Sequence, residues 1–172
     1  NRQVTSIDHH ITRENVIKST KDYAYSLDHS GSVLAWNYFH PHTPVPRLLR
    51  HIEDIDLWKF KLPRTRAILT FVNLYDFDFK VWDRLVRNFE NHRLRRQYIE
   101  KGELLLAYEQ KIIQDIVSNN PVEVEFAGYR TLTVSSPKFI SEIGHELTKK
   151  LPPIAIVWRQ KDGEIKVSLR SD

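Results

Sequence analysis

Asp8, His9 and His10, in the stretch "SIDHHIT", put one carboxylate and two imidazoles on consecutive residues near the start of the chain. Carboxylates and neutral imidazoles both bind divalent cations, and adjacent residues at a strand end can share an ion with ligands from other loops. The preceding Val4 to Ile7 is short and β-prone, which predicts a strand that ends at this polar triplet. A second acidic group lies in "HIEDIDLWKF", where Glu53, Asp54 and Asp56 cluster before an aromatic pair. Taken alone, that cluster reads as a solvated acidic turn. The chain contains no cysteine, so thiolate ligands and disulfides are excluded. Any metal must then be held by His, Asp or Glu, a donor set suited to manganese, magnesium, iron or carboxylate-rich zinc.

The elements that must position these groups are readable in outline. A second strand is expected around Tyr23 to Leu27. Ser30 is an N-cap candidate, and Val33, Leu34 and Trp36 supply apolar positions for a helix over 31–39. Strand, loop, strand, helix is the order of an open α/β sheet, whose ligands bind beyond the carboxyl ends of the strands. Three prolines, Pro41, Pro44 and Pro46, stiffen a loop into a short helix near 46–54. Trp82, Leu85, Val86 and Phe89 fall on one helical face. A long helix is expected over about 92–118, with Leu105, Tyr108, Ile112 and Ile116 as its apolar stripe and "HRLRRQYIEK" as a basic segment. That segment interleaves arginine with tyrosine, a pattern shared by nucleic-acid grooves and by ordinary charged helix faces. From residue 121 the character changes. "VEVEF" alternates, "TLTV" is β-prone, Ile140, Ile143 and Leu147 share a helical face, and Asp162-Gly163 marks a hairpin.

In this order, "SIDHHIT", the Ser-Gly helix start, "IEDIDLW" and "DGEIKVSLRS" resemble the DHH phosphoesterase superfamily. "SIDHHIT" is similar to its third motif, "IEDIDLW" to the region of its fourth, and "SLRS" to part of its substrate-binding domain. The resemblance implies an α/β fold: a partial open parallel sheet over 1–62, a helical connecting region over 63–120, and part of a small α+β substrate domain over 121–172. It implies His9 and Asp54 as metal ligands, with Asp56 as the competitor for the latter role. It implies His10 and Asp8 as the catalytic pair, His10 facing the scissile phosphate. Ser168 and Arg170 match positions that hold substrate phosphate, a role that suits the arginine fork. The implied cofactor is a pair of manganese ions, with magnesium as a substitute. The implied reaction is hydrolysis of phosphodiester or phosphomonoester bonds in nucleotides or short single-stranded oligonucleotides.

The family's two aspartate motifs that precede the third, and the glycine-rich motif that follows "SLRS", are absent from these 172 residues. The expectation is therefore a fragment of a longer phosphoesterase with little catalysis of its own. The alternative is a degenerate, non-catalytic nucleotide- or nucleic-acid-binding protein of the same fold. The net charge of +4 is compatible with an anionic partner. No apolar run reaches the length of a membrane span, and a cytoplasmic location and a homodimer complete the expectation. His40 and His42 flank Pro41 and could in principle share a metal with His51, but loop histidines beside prolines read as structural, and His145 beside Glu146 reads as an exposed helix position.

Overall fold

The computed structural model describes residues 4–171. It is a mixed α/β protein that divides into two compact units, the first ending at Leu106 and the second beginning at Ala107.

In the first unit, β1 (Thr5–Asp8) pairs in parallel with β2 (Asp22–Tyr25), and Asp8 lies opposite Tyr25 at the ends of both strands. Between them run a single 3-10 turn, Ile11–Arg13, and α1 (Glu14–Lys18). β2 ends two residues earlier than the expected Leu27, because the Ser26 hydroxyl accepts the Asp28 amide and turns the chain. α2 (Gly31–Phe39) starts as the Ser30 cap predicts: the Ser30 hydroxyl accepts from the Val33 amide at 3.3 Å.

α3 (Arg47–Asp56), α4 (Thr65–Val72), α5 (Phe79–Glu90) and the first part of α6 (His92–Asn119) enclose a core of Leu48, Ile68, Leu69, Phe71, Val72, Leu85 and Phe89. Burying each such side chain contributes about 1.5–3 kcal/mol, so this cluster is what holds α3 in place. Residues 63–106, expected in a connecting region, thus supply most of the first unit's core, and the chain divides inside α6. The basic stretch of α6 is partly engaged locally. Arg95 Nη1 donates to the Phe89 and Glu90 carbonyls at the end of α5, and Arg96 pairs with Glu100.

The second unit contains the four-stranded mixed sheet β3 (Val122–Phe126), β4 (Tyr129–Ser135), β5 (Ile154–Lys161) and β6 (Glu164–Ser171), in that spatial order. Only β4 and β5 are parallel, and α7 (Ile140–Lys150) makes the crossover between them. Asp162 and Gly163 both take positive φ, 56° and 79°, which is the backbone the two-residue hairpin turn requires. The core is Val134, Ala155 and Val157 from the sheet, Ile143 and Leu147 from α7, and Ile113 and Val117 from the end of α6. Tyr108, expected on the apolar stripe of α6, is exposed. The helix serves two cores in succession, so no single stripe runs its length.

Candidate metal and phosphate site

β1 delivers Asp8 to its end, and the chain then folds back on that carboxylate. Asp8 Oδ1 accepts the amides of His9 at 2.7 Å and His10 at 3.2 Å, and lies 2.6 Å from His10 Nδ1. The His10 hydrogen bond, joined by the two amides and working against partial burial, holds the Asp8 carboxyl down at about 2. An ionised carboxylate only accepts, so His10 carries its proton on Nδ1 and Nε2 is the ring's other reactive nitrogen. The rings of His9 and His10 lie 4.4 Å apart between centroids. One ligand atom from each of Asp8, His9 and His10 falls within 4.8 Å of the others.

The acidic end of α3 meets this turn. His9 Nε2 stands 3.3 Å from Asp56 Oδ2, with His9 mostly buried and Asp56 half exposed. Two donors held about 2.1 Å from one cation stand roughly 3 Å apart, so the observed separation fits a shared divalent ion. The first turn of α2 completes the surroundings. A Cβ on Gly31 would lie 3.8 Å from His9 Cδ2, so the helix start is in contact with the imidazole. Glu53 Oε2 fixes that start by accepting the Ser30 amide at 2.9 Å and pairing with His29 Nδ1 at 3.1 Å.

Asp54 does something else. It is 4% exposed, and its carboxylate accepts the Lys61 amide at 2.7 Å, the Leu62 amide at 3.1 Å and the Thr65 hydroxyl at 2.6 Å. Its burial raises the carboxyl pKa, but the Thr65, Lys61 and Leu62 hydrogen bonds outweigh that and leave it below the usual carboxylate range. The sequence-based choice of Asp54 over Asp56 as the partner of His9 is therefore not what the geometry brings together. On a helix two residues are about 200° apart, so the two carboxylates face opposite sides. Asp54 turns into the loop after α3, and Asp56 turns to His9.

His51 likewise belongs to the interior. Its Nδ1 lies 2.8 Å from Thr65 Oγ1, its ring stands edge-on to Phe89, and burial pushes its pKa below the usual histidine value. The His40 ring packs tilted against Trp36, with centroids 4.3 Å apart. These contacts do not gather His40 and His51 into a metal site.

In the second unit, Ser168 and Arg170 lie on the face of β6 covered by α7, opposite Val157 and Ala155. Arg170 Nη2 donates to Ser141 Oγ at 2.6 Å, and its Nε is buried with no partner among the described residues. Gly144 lets the arginine stem cross α7, because a Cβ there would lie 2.4 Å from Arg170 Cγ.

A further element was not singled out from the sequence: the loop "LWKFKLPR" that follows Asp56 directly. Trp58, Phe60 and Arg64 all take positive φ, 54°, 48° and 66°, an uncommon backbone for bulky residues. The interleaving of Trp58 and Phe60 with Lys59, Lys61, Arg64 and Arg66, without an acid, was the signal available.

No protein-family model matches the chain. An uncharacterized protein of Acanthamoeba polyphaga mimivirus is 29% identical over 159 residues, which is 88% of this chain. The chain spans 37% of the length of that relative. A crystal structure of an uncharacterized protein from Helicobacter pylori G27 aligns with 96% of this chain and 59% of its own, at a TM-score of 0.37 and 14% identity. Among the described residues no helix is long and apolar enough to cross a membrane.

Proposed function

We propose that this chain is part of a metal-dependent phosphoesterase of the DHH superfamily that hydrolyses phosphate ester bonds in nucleotides or short oligonucleotides. The observation that supports this reading is the 3.3 Å approach of His9 Nε2 to Asp56 Oδ2, which joins the third-motif triplet to the acidic fourth-motif helix. In this reading β1 and β2 are part of an open parallel sheet and the second unit is part of the substrate-binding domain.

His9 and Asp56 would hold a divalent ion, manganese by preference. Bound there, the ion would supply Lewis-acid polarisation of a phosphoryl oxygen. Asp8 positions His10 by holding Nδ1–H, so that Nε2 can meet a phosphate oxygen. The start of α2, pinned by Glu53, presents backbone amides beside His9, where they favour negative charge. Ser168 and Arg170 would hold a further phosphate, with the Ser141 bond fixing the guanidinium plane.

A second reading keeps the binding and drops the hydrolysis. It is favoured by how the carboxylates are engaged: Asp8 is tied to its own turn and Asp54 to the loop, so Asp56 is the acid left to His9. The two readings separate in one pair of measurements. Manganese titration of the chain, followed calorimetrically, is expected to show binding that His9→Ala removes. Incubation of a 5′-labelled trinucleotide with manganese and the complete polypeptide that carries this chain is expected to release mononucleotides. Manganese binding without release supports the binding protein, and the absence of both manganese binding and release by the complete polypeptide sinks the phosphoesterase.

A further inference from the structure

The backbone of the loop after Asp56 is held in place from one residue. The Asp54 carbonyl accepts the amides of Lys59 at 2.8 Å and Phe60 at 3.3 Å, while its carboxylate takes those of Lys61 and Leu62. Four consecutive amides therefore converge on Asp54, and the uncommon backbone of Trp58 and Phe60 persists because it is over-determined. Trp58 stands edge-to-face on Phe60, with centroids 4.8 Å apart. The Arg66 guanidinium covers the Phe60 ring at 4.4 Å. Lys59 Nζ donates to the Asp28 carbonyl at 2.9 Å, tying the loop to the approach to α2, whose first turn contacts His9. The outcome is a braced indole, 47% exposed, two residues after the aspartate that meets His9. Four cations lie near it in sequence, Lys59, Lys61, Arg64 and Arg66, of which Arg64 pairs with Glu103.

The positive φ of Trp58 closes α3, because the Trp58 amide donates to the Ile55 carbonyl and the Lys59 amide to the Asp54 carbonyl as at an ordinary left-handed helix end, and the residue placed at that exposed position is a bulky aromatic. Aromatic faces interleaved with cations bind nucleobases and the phosphates attached to them. We infer that Trp58 is a base-stacking platform beside the His9–Asp56 site, holding the base of its nucleotide or single-stranded oligonucleotide ligand. This inference rests on the proposed phosphate-ester reading, and adds to it the residue that recognises the base. In it Asp54 is a positioning residue, acting through the loop it holds.

The test compares 5′-AMP with ribose 5-phosphate, which has the same phosphate and sugar and no base, titrated into the chain with manganese. Stacking predicts that AMP binds roughly 5- to 150-fold more tightly than ribose 5-phosphate. Trp58→Ala is expected to bring AMP down to the level of ribose 5-phosphate and leave the latter unchanged, which also shows that the variant is folded. Trp58→Phe is expected to restore most of the difference. Equal affinity for the two ligands in the unaltered chain overturns the platform and leaves the phosphate site standing. An equal loss of both ligands in Trp58→Ala overturns it too. Failure of both ligands to bind the unaltered chain overturns the phosphate reading together with the platform.

Discussion

His9 Nε2 stands 3.3 Å from Asp56 Oδ2, which joins the turn after β1 to the last residue of α3. Around that approach the three acids of α3 divide the work. Glu53 fixes the start of α2, Asp54 fixes the loop that carries Trp58, and Asp56 meets the imidazole.

This division predicts which substitutions touch metal binding. His9→Ala and Asp56→Ala are each expected to weaken manganese binding by at least about 100-fold, because each deletes a ligand. In metal-free buffer both should melt close to the unaltered chain, since a partly exposed pair is worth about 0–1 kcal/mol. Calorimetric titration and thermal melting check the two halves. Unchanged manganese affinity in Asp56→Ala would remove Asp56 from the site.

Asp54→Ala is expected to behave in the opposite way, costing about 3 kcal/mol or more of stability. It takes the acceptor away from the partly buried Lys61 and Leu62 amides and removes the shortest hydrogen bond of the Thr65 hydroxyl. The same group makes stability depend on acid. Its folded pKa lies below its unfolded value, near 3.9, so its contribution is complete above that pH and is lost as pH falls through the folded pKa. Urea unfolding below pH 5 should therefore be less pH-dependent in Asp54→Asn than in the unaltered chain.

His51 gives a separate limb at higher pH. Burial keeps its imidazole neutral, with a folded pKa below the unfolded value near 6.5. The unfolded chain then binds the proton better, so stability declines as pH falls below about 6.5. His51→Asn keeps a donor toward Thr65 and cannot titrate. Its unfolding free energy should be flatter between pH 6.5 and 5, and an unchanged slope would exclude His51 as the source.

Gly144 and Arg170 should be energetically coupled. Gly144→Ala drives a methyl group into the arginine stem and is expected to cost about 1 kcal/mol. In an Arg170→Ala background the overlap with Cγ is gone and only the close approach to Cβ at 3.1 Å remains, so the same change should cost less than in the unaltered chain, offset by up to ~1 kcal/mol from the helical gain of alanine over glycine. A double-mutant cycle measured by urea unfolding reads the difference, and strict additivity would mean that the stem does not need the glycine.

Features set by neighbours in sequence were legible before any coordinates. Ser30 started α2 because a cap needs only its own first turn. Asp162-Gly163 closed its hairpin because the positive φ values are local. α3 was expected over 46–54 and runs Arg47–Asp56, and the long helix expected over 92–118 runs His92–Asn119. The stripe of α6 was less legible, since Ile113 and Val117 are buried by a sheet whose strands come later in the chain.

By itself, the sequence determined the donor set. With no cysteine and with an Asp-His-His triplet at a strand end, an ion here can only meet nitrogen and oxygen. It could not decide between Asp54 and Asp56, because both lie on the same turn and differ only in the side of α3 they face. The tertiary structure made that choice. Packing of Leu48 and its neighbours sets the rotation of α3, and that rotation aims Asp56 at His9 and turns Asp54 inward, where burial demands three donors and the loop supplies them.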